Sequence, residues 1–188
     1  MRVLLILPWA IPQYIVALTW KGMFNYEYGV INLLLKHSFG SDAMITWLSN
    51  PNIAFIACII TNVWLGIPFM MMISLGGLQS IPKELYEAAE VDGVNEWKKF
   101  KSITLPLLKP VLIPAVILGT LWTFNMINII YIITSGAALE ESQILVTLVY
   151  KQAFEYFRYG YAAALSVIIF FILLVFSGVF TKYQKLEE

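Results

Sequence analysis

The side chains of this 188-residue sequence that could do chemistry fall into two groups. The first is aromatic, polar and uncharged. Gly119, Trp122, Thr123 and Met126 recur at i, i+3, i+4 and i+7, as do Asn62, Leu65, Gly66 and Phe69, while Trp9 and Gln13 lie one turn apart. At helical spacing each set shares one face, and each pairs an aromatic ring with an amide or hydroxyl. Such faces suit the binding of an uncharged polar solute. They equally suit packing of one membrane helix on another, where small residues are favoured, and Asn125 and Asn128 carry the same two readings. The second group is a charged stretch, QSIPKELYEAAEVDGVNEWKKFKSITLPLLK over residues 79–109. Arrangements typical of an enzyme are missing: no Gly-rich phosphate cradle, no Ser–His–Asp set and no paired buried carboxylates. His37 has no second histidine near it, and the single cysteine, Cys58, excludes an internal disulfide and a multi-cysteine metal site.

The elements that must position these groups follow from where the charges are. The sequence is 60% hydrophobic and only 13% charged, with a mean hydropathy of +0.76, too apolar for a soluble domain of this size to bury. No Asp, Glu, Lys or Arg occurs from Val3 to Trp20, Ala43 to Pro82, Pro110 to Leu139 or Tyr159 to Thr181. A helix needs about 20 residues to cross a bilayer, and a mid-bilayer charge costs about 2.5–3.5 kcal/mol. Four transmembrane helices are therefore expected, over about 3–20, 53–77, 111–133 and 160–180, giving an all-α membrane protein with one transmembrane domain over 1–188. If residues 79–109 are cytoplasmic, eight of the 12 Lys and Arg lie inside, as the positive-inside rule requires. Zero net charge argues against a nucleic-acid partner.

The loops read as helices too. Short outer helices are expected around Tyr28–Lys36 and near Ile144–Phe157. Within 79–109, Pro82 suits a first helical turn, Glu84, Glu87 and Glu90 favour the positive end of a helix dipole, and Gly93 permits a tight turn. Asn95 can cap a second short helix, Glu96–Ile103, with Pro106 and Pro110 delimiting entry into the third span.

Glu87-Ala88-Ala89, three residues, Gly93, nine residues, Ile103, one residue, then Leu105-Pro106 resembles the EAA loop of binding-protein-dependent ABC importer permeases. Leu7–Pro12, Asn62–Phe69 and Gly77–Pro82 resemble the sugar branch of that family, and the resemblance runs from about residue 3 to residue 182. It implies a type I importer permease core lacking two N-terminal core helices, in the cell membrane of a prokaryote. Its expected partners are ABC ATPase subunits, a second permease subunit, an extracytoplasmic solute-binding protein and membrane lipid. ATP and Mg would be held by the partner subunits, with no cofactor on this chain. The resemblance assigns ATPase coupling to Glu87, Ala88, Ala89, Asp92, Gly93, Ile103, Leu105 and Pro106. It assigns the substrate pathway to Trp9, Gln13, Asn62, Leu65, Gly66, Phe69, Gly119, Trp122, Thr123 and Met126. At Gly119, Thr123 and Met126 the chain departs from the more polar residues expected of maltose carriers, which argues against maltose itself and leaves a sugar or oligosaccharide as the expected solute.

Other classes fit less well. An ion-driven carrier needs ionisable residues within the bilayer, and none lies in the four spans. A scaffold does not explain the loop motif, and a permease of the same family for a non-sugar solute stands as the alternative.

Overall fold

A computed structural model describes residues 7–134 and 143–186. Among these residues every regular element is helical: α1 (Leu7–Ala10), α2 (Gln13–Met23), α3 (Val30–Phe39), α4 (Pro51–Ser80), α5 (Lys83–Val91), α6 (Glu96–Lys99), α7 (Leu105–Phe124), α8 (Ile127–Ile133), α9 (Leu145–Tyr150) and α10 (Tyr159–Leu186). Two π-turns, Phe100–Thr104 and Lys151–Glu155, extend α6 and α9. Because α6, the first π-turn and α7 are continuous, three helices are long and apolar enough to cross a membrane: Pro51–Ser80, Glu96–Phe124 and Tyr159–Lys182.

The outer two of these helices coincide with expected spans, while the other two expected spans are reshaped by local backbone chemistry. The first is broken at Ile11-Pro12, where Pro12 takes an extended ψ of 134° ahead of α2. Its residues 3–6, like Arg2 and residues 135–142 of the last outer loop, lie outside the described residues. The third ends at Asn125, whose Nδ2 donates to the Leu121 carbonyl at 2.8 Å. A side-chain amide that supplies a donor to the last turn competes with continuation of the helix, and α8 starts afresh at Ile127. At its N-terminal end the same helix starts earlier than expected, since neither Pro106 nor Pro110 breaks it. Pro106 follows directly on the π-turn, whose wider winding makes room where a proline ring meets the preceding turn.

Packing gathers at two levels. At the outer level α2 and α4 meet α8, and Phe24, Ala57, Cys58, Ile129 and Ile133 form a buried cluster under Trp20, Trp47 and Met126. The outer loop is pinned by Asn32, fully buried. Its Nδ2 donates to the carbonyls of Tyr26 and Ile45, and its Oδ1 accepts from Ile45 N–H and the Trp47 indole. The Trp47 indole is thereby tied into the segment between α3 and α4. Toward the other end α4 crosses α7 at Gly77, where a methyl group would meet Leu108 and Val111. By contrast α10 leaves Val167, Phe170, Phe171, Leu174 and Val175 exposed, an apolar surface suited to lipid or a neighbouring subunit.

Candidate functional site

Two regions carry the residues singled out above. In the membrane, α1, α2, α4 and α7 surround a groove of about 510 Å3. Its lining includes all ten residues expected in the pathway: Trp9, Gln13, Asn62, Leu65, Gly66, Phe69, Gly119, Trp122, Thr123 and Met126. Three rings cluster there, with Trp9 stacked on Phe69 at 5.9 Å between centroids, Phe69 against Trp122 at 4.9 Å, and Trp9 against Trp122 at 6.3 Å. Trp9 and Trp122 are each about half exposed, at 53% and 48%, so their faces are available to a ligand. Asn62 Nδ2 donates to Thr123 Oγ1 at 3.2 Å, tying the polar positions of α4 and α7 together. A Cβ on Gly66 or Gly119 would touch nothing within 4 Å, so these two glycines leave the groove wide rather than bringing helices into contact.

Sequence reasoning missed part of this lining. Val63, Ile67, Met70, Val116, Thr120 and Phe124 also face the groove; they flank the chosen positions in helical register, which was the available signal. Asn125 lies with Gln13, Trp9, Trp122 and Met126 around an adjoining recess of about 340 Å3. An apolar cavity, also about 340 Å3, shares Asn62, Thr123, Phe124 and Met126 with the groove and is otherwise lined by residues such as Phe55, Cys58 and Ile129. No lining residue of the groove is charged.

At the other end of the long helices, α5, α6 and the first π-turn form a bracket. Pro82 precedes α5 with an extended ψ of 133°, as its position in the sequence suggested. The helix ends with Asp92 N–H donating to Ala88 O at 3.1 Å, Gly93 N–H to Glu90 O at 3.0 Å and Val94 N–H to Ala89 O at 2.9 Å. Gly93 sits at φ +68°, the left-handed region that closes helices and favours glycine. Asn95 Oδ1 accepts from Lys98 N–H at 2.9 Å and so caps α6. Of the residues expected to couple to an ATPase, Glu87, Ala88, Asp92, Gly93, Leu105 and Pro106 are exposed, Ile103 is half-buried and Ala89 is buried. The two alanines thus face opposite ways, one outward and one into the bracket. Trp97 lies exposed and stacked on Phe100 at 5.9 Å.

A bundle of membrane-length helices with an uncharged aromatic groove and a projecting helical bracket is the architecture of a membrane transport component. The chain belongs to the family of binding-protein-dependent transport system inner membrane components, whose profile matches residues 1–184. Similar proteins include the trehalose/maltose transport system permease protein MalF of Thermococcus litoralis, 42% identical over all of this chain and 63% of that protein. The galactooligosaccharides transport system permease protein GanP of Bacillus subtilis is 34% identical over all of this chain and 46% of its own length. The chain therefore spans less than two thirds of the length of these curated relatives. Its fold matches a solved bacterial alginate ABC transporter in complex with alginate pentasaccharide-bound periplasmic protein, with a TM-score of 0.81 at 23% identity over 94% of this chain and 62% of that one.

Proposed function

We propose that this chain forms part of the membrane path of an ATP-driven importer for a sugar or oligosaccharide. The observation that carries this reading is the groove: nine uncharged residues from α1, α2, α4 and α7, with Met126 from the turn after α7, meet around one concavity headed by three aromatic rings. Sugars present flat C–H faces for stacking and hydroxyls for hydrogen bonding. Trp9, Phe69 and Trp122 offer the first contact, and Gln13, Asn62 and Thr123 the second. With no charge in its lining, this chain's share of the path favours a neutral solute. The names of the relatives, which include carriers of trehalose, maltose and galactooligosaccharides, point the same way.

In this reading an extracytoplasmic binding protein hands the sugar to the outer side, a second permease completes the path, and two ATPase subunits seat on the bracket. ATP and Mg are bound and consumed on those subunits. Glu87 and Ala88 on the outward face of α5 serve as the ATPase contact, and Gly93, Asp92, Ile103, Leu105 and Pro106 shape and anchor the bracket behind them. ATP-driven closure of the ATPases would be passed through α5 into the helix that carries Gly119, Trp122 and Thr123.

The test is transport by the assembled complex in vesicles against labelled neutral mono- and oligosaccharides, amino acids and inorganic ions. ATP-dependent uptake of a saccharide is expected. Uptake of an amino acid or ion with no saccharide transported would overturn the sugar reading.

A further inference from the structure

The bracket contains a side-chain arrangement that the family motif does not mention. Tyr86 and Glu90 stand one turn apart on α5 and so share a face. Across from them, the Tyr86 hydroxyl lies 2.8 Å from Thr104 Oγ1, and Lys99 Nζ donates to Glu90 Oε1 at 2.9 Å. A second carboxylate, Glu96 Oε1, also lies 2.9 Å from Nζ. Lys99 and Thr104 are both buried, at 4% and 8% exposure, as is Ala89 beside them on α5.

Register makes this pairing informative. Lys99 and Thr104 are five residues apart, and in an ordinary α-helix they would point about 140° away from each other. The turn between them is a π-turn, closed by Leu105 N–H donating to Phe100 O. An i→i+5 hydrogen bond places residues five apart one above the other. The π-turn therefore brings Lys99 and Thr104 onto one face, at a spacing that matches Tyr86 and Glu90 across the gap. Ala89 has no side chain long enough to hold the two helices apart.

We propose that Tyr86–Thr104 and Glu90–Lys99 are the two rungs of a strut, that the π-turn exists to set its register, and that the strut fixes α5 to the membrane helix so the two move as one body. As a motion-transmitting part, it rests on the reading that an ATPase acts on α5. One rung would leave α5 free to pivot; two remove that freedom. Lys99, Tyr86, Glu90 and Thr104 are positioning residues, since none touches the solute groove.

Two measurements test it, both on the full-length protein. The first needs no transport: hydrogen exchange of the permease in lipid, comparing wild type with the Tyr86→Phe/Lys99→Met double variant. Methionine fills the lysine's space while Glu90 and Glu96, already exposed, turn to water, so folding is spared. Amides of 85–91 are expected to exchange about tenfold faster while those of α7 keep their rates, as local loss of an anchoring contact predicts. Unchanged protection of α5 overturns the strut. The second is solute moved per ATP hydrolysed by the reconstituted complex. It should fall about fivefold or more in the double variant, with ATPase subunits still co-purifying, and the Tyr86→Phe/Lys99→Arg variant should recover part of it. An unchanged ratio overturns the transmitting role. If wild-type vesicles import no saccharide, the functional reading fails while the exchange measurement still decides the strut.

Discussion

The bracket and the groove are built to opposite rules on one continuous helix. In the bracket, polar side chains pair with each other: Lys99 with two carboxylates, Tyr86 with Thr104, Asn95 with a backbone amide. In the groove a single hydrogen-bonded side-chain pair, Asn62 with Thr123, joins the walls among the described residues, and two glycines face empty space. A part that must transmit movement satisfies its polar groups internally. A part that must hold and release a solute leaves rings and amides half-exposed, because full internal pairing would leave nothing to offer a ligand.

Mutations that respect this division should separate. The largest effect is expected from Gly119→Trp, which fills the groove with an indole. Uptake should fall about a hundredfold, beyond what single contacts supply, while the amount of ATPase co-purifying with the permease stays at the wild-type level. Loss of ATPase along with uptake would mean that the groove and bracket are not independent. Next is Gly93→Val, which forces a β-branched residue into the left-handed region at a cost of at least about 1–2 kcal/mol. Uptake and ATPase recovery should both drop about tenfold, with solute affinity unchanged in binding measurements on the complex; an affinity change would blur the comparison. The smallest effect belongs to Trp122→Ala. Losing one stacking partner, worth about 0.5–1.5 kcal/mol, should raise the apparent KM about threefold without altering ATPase assembly, and an unchanged KM would leave the ring a packing residue.

The groove was legible in the sequence because it depends on two helical periodicities that the fold preserves. Asn62 to Phe69 lie within unbroken α4, and Gly119 to Thr123 lie within α7. Met126 reaches the same groove from beyond the end of α7, which periodicity alone would not have secured. Charge-free windows marked the membrane-embedded stretches but not the breaks inside them, because a break such as that at Asn125 depends on one side-chain hydrogen bond rather than on hydropathy. Proline has no uniform effect: the chain breaks at Ile11-Pro12, while Pro68, Pro110 and Pro114 sit inside continuous helices. The bracket's outline was readable from Pro82, Gly93 and Asn95, each of which does locally what its chemistry favours. Its strut was not, since a π-turn has no simple sequence signature and Lys99 reads as one more lysine in a lysine-rich loop.

The unbroken run from Glu96 to Phe124 has a geometric consequence. Twenty-nine residues at about 1.5 Å each make a lever some 43 Å long. Rocking it by about 5° around its Glu96 end would sweep Trp122 sideways by about 3 Å. That travel is a large fraction of the 4.9 Å that separates its ring from Phe69, enough to pry the aromatic clasp apart without unwinding a single turn.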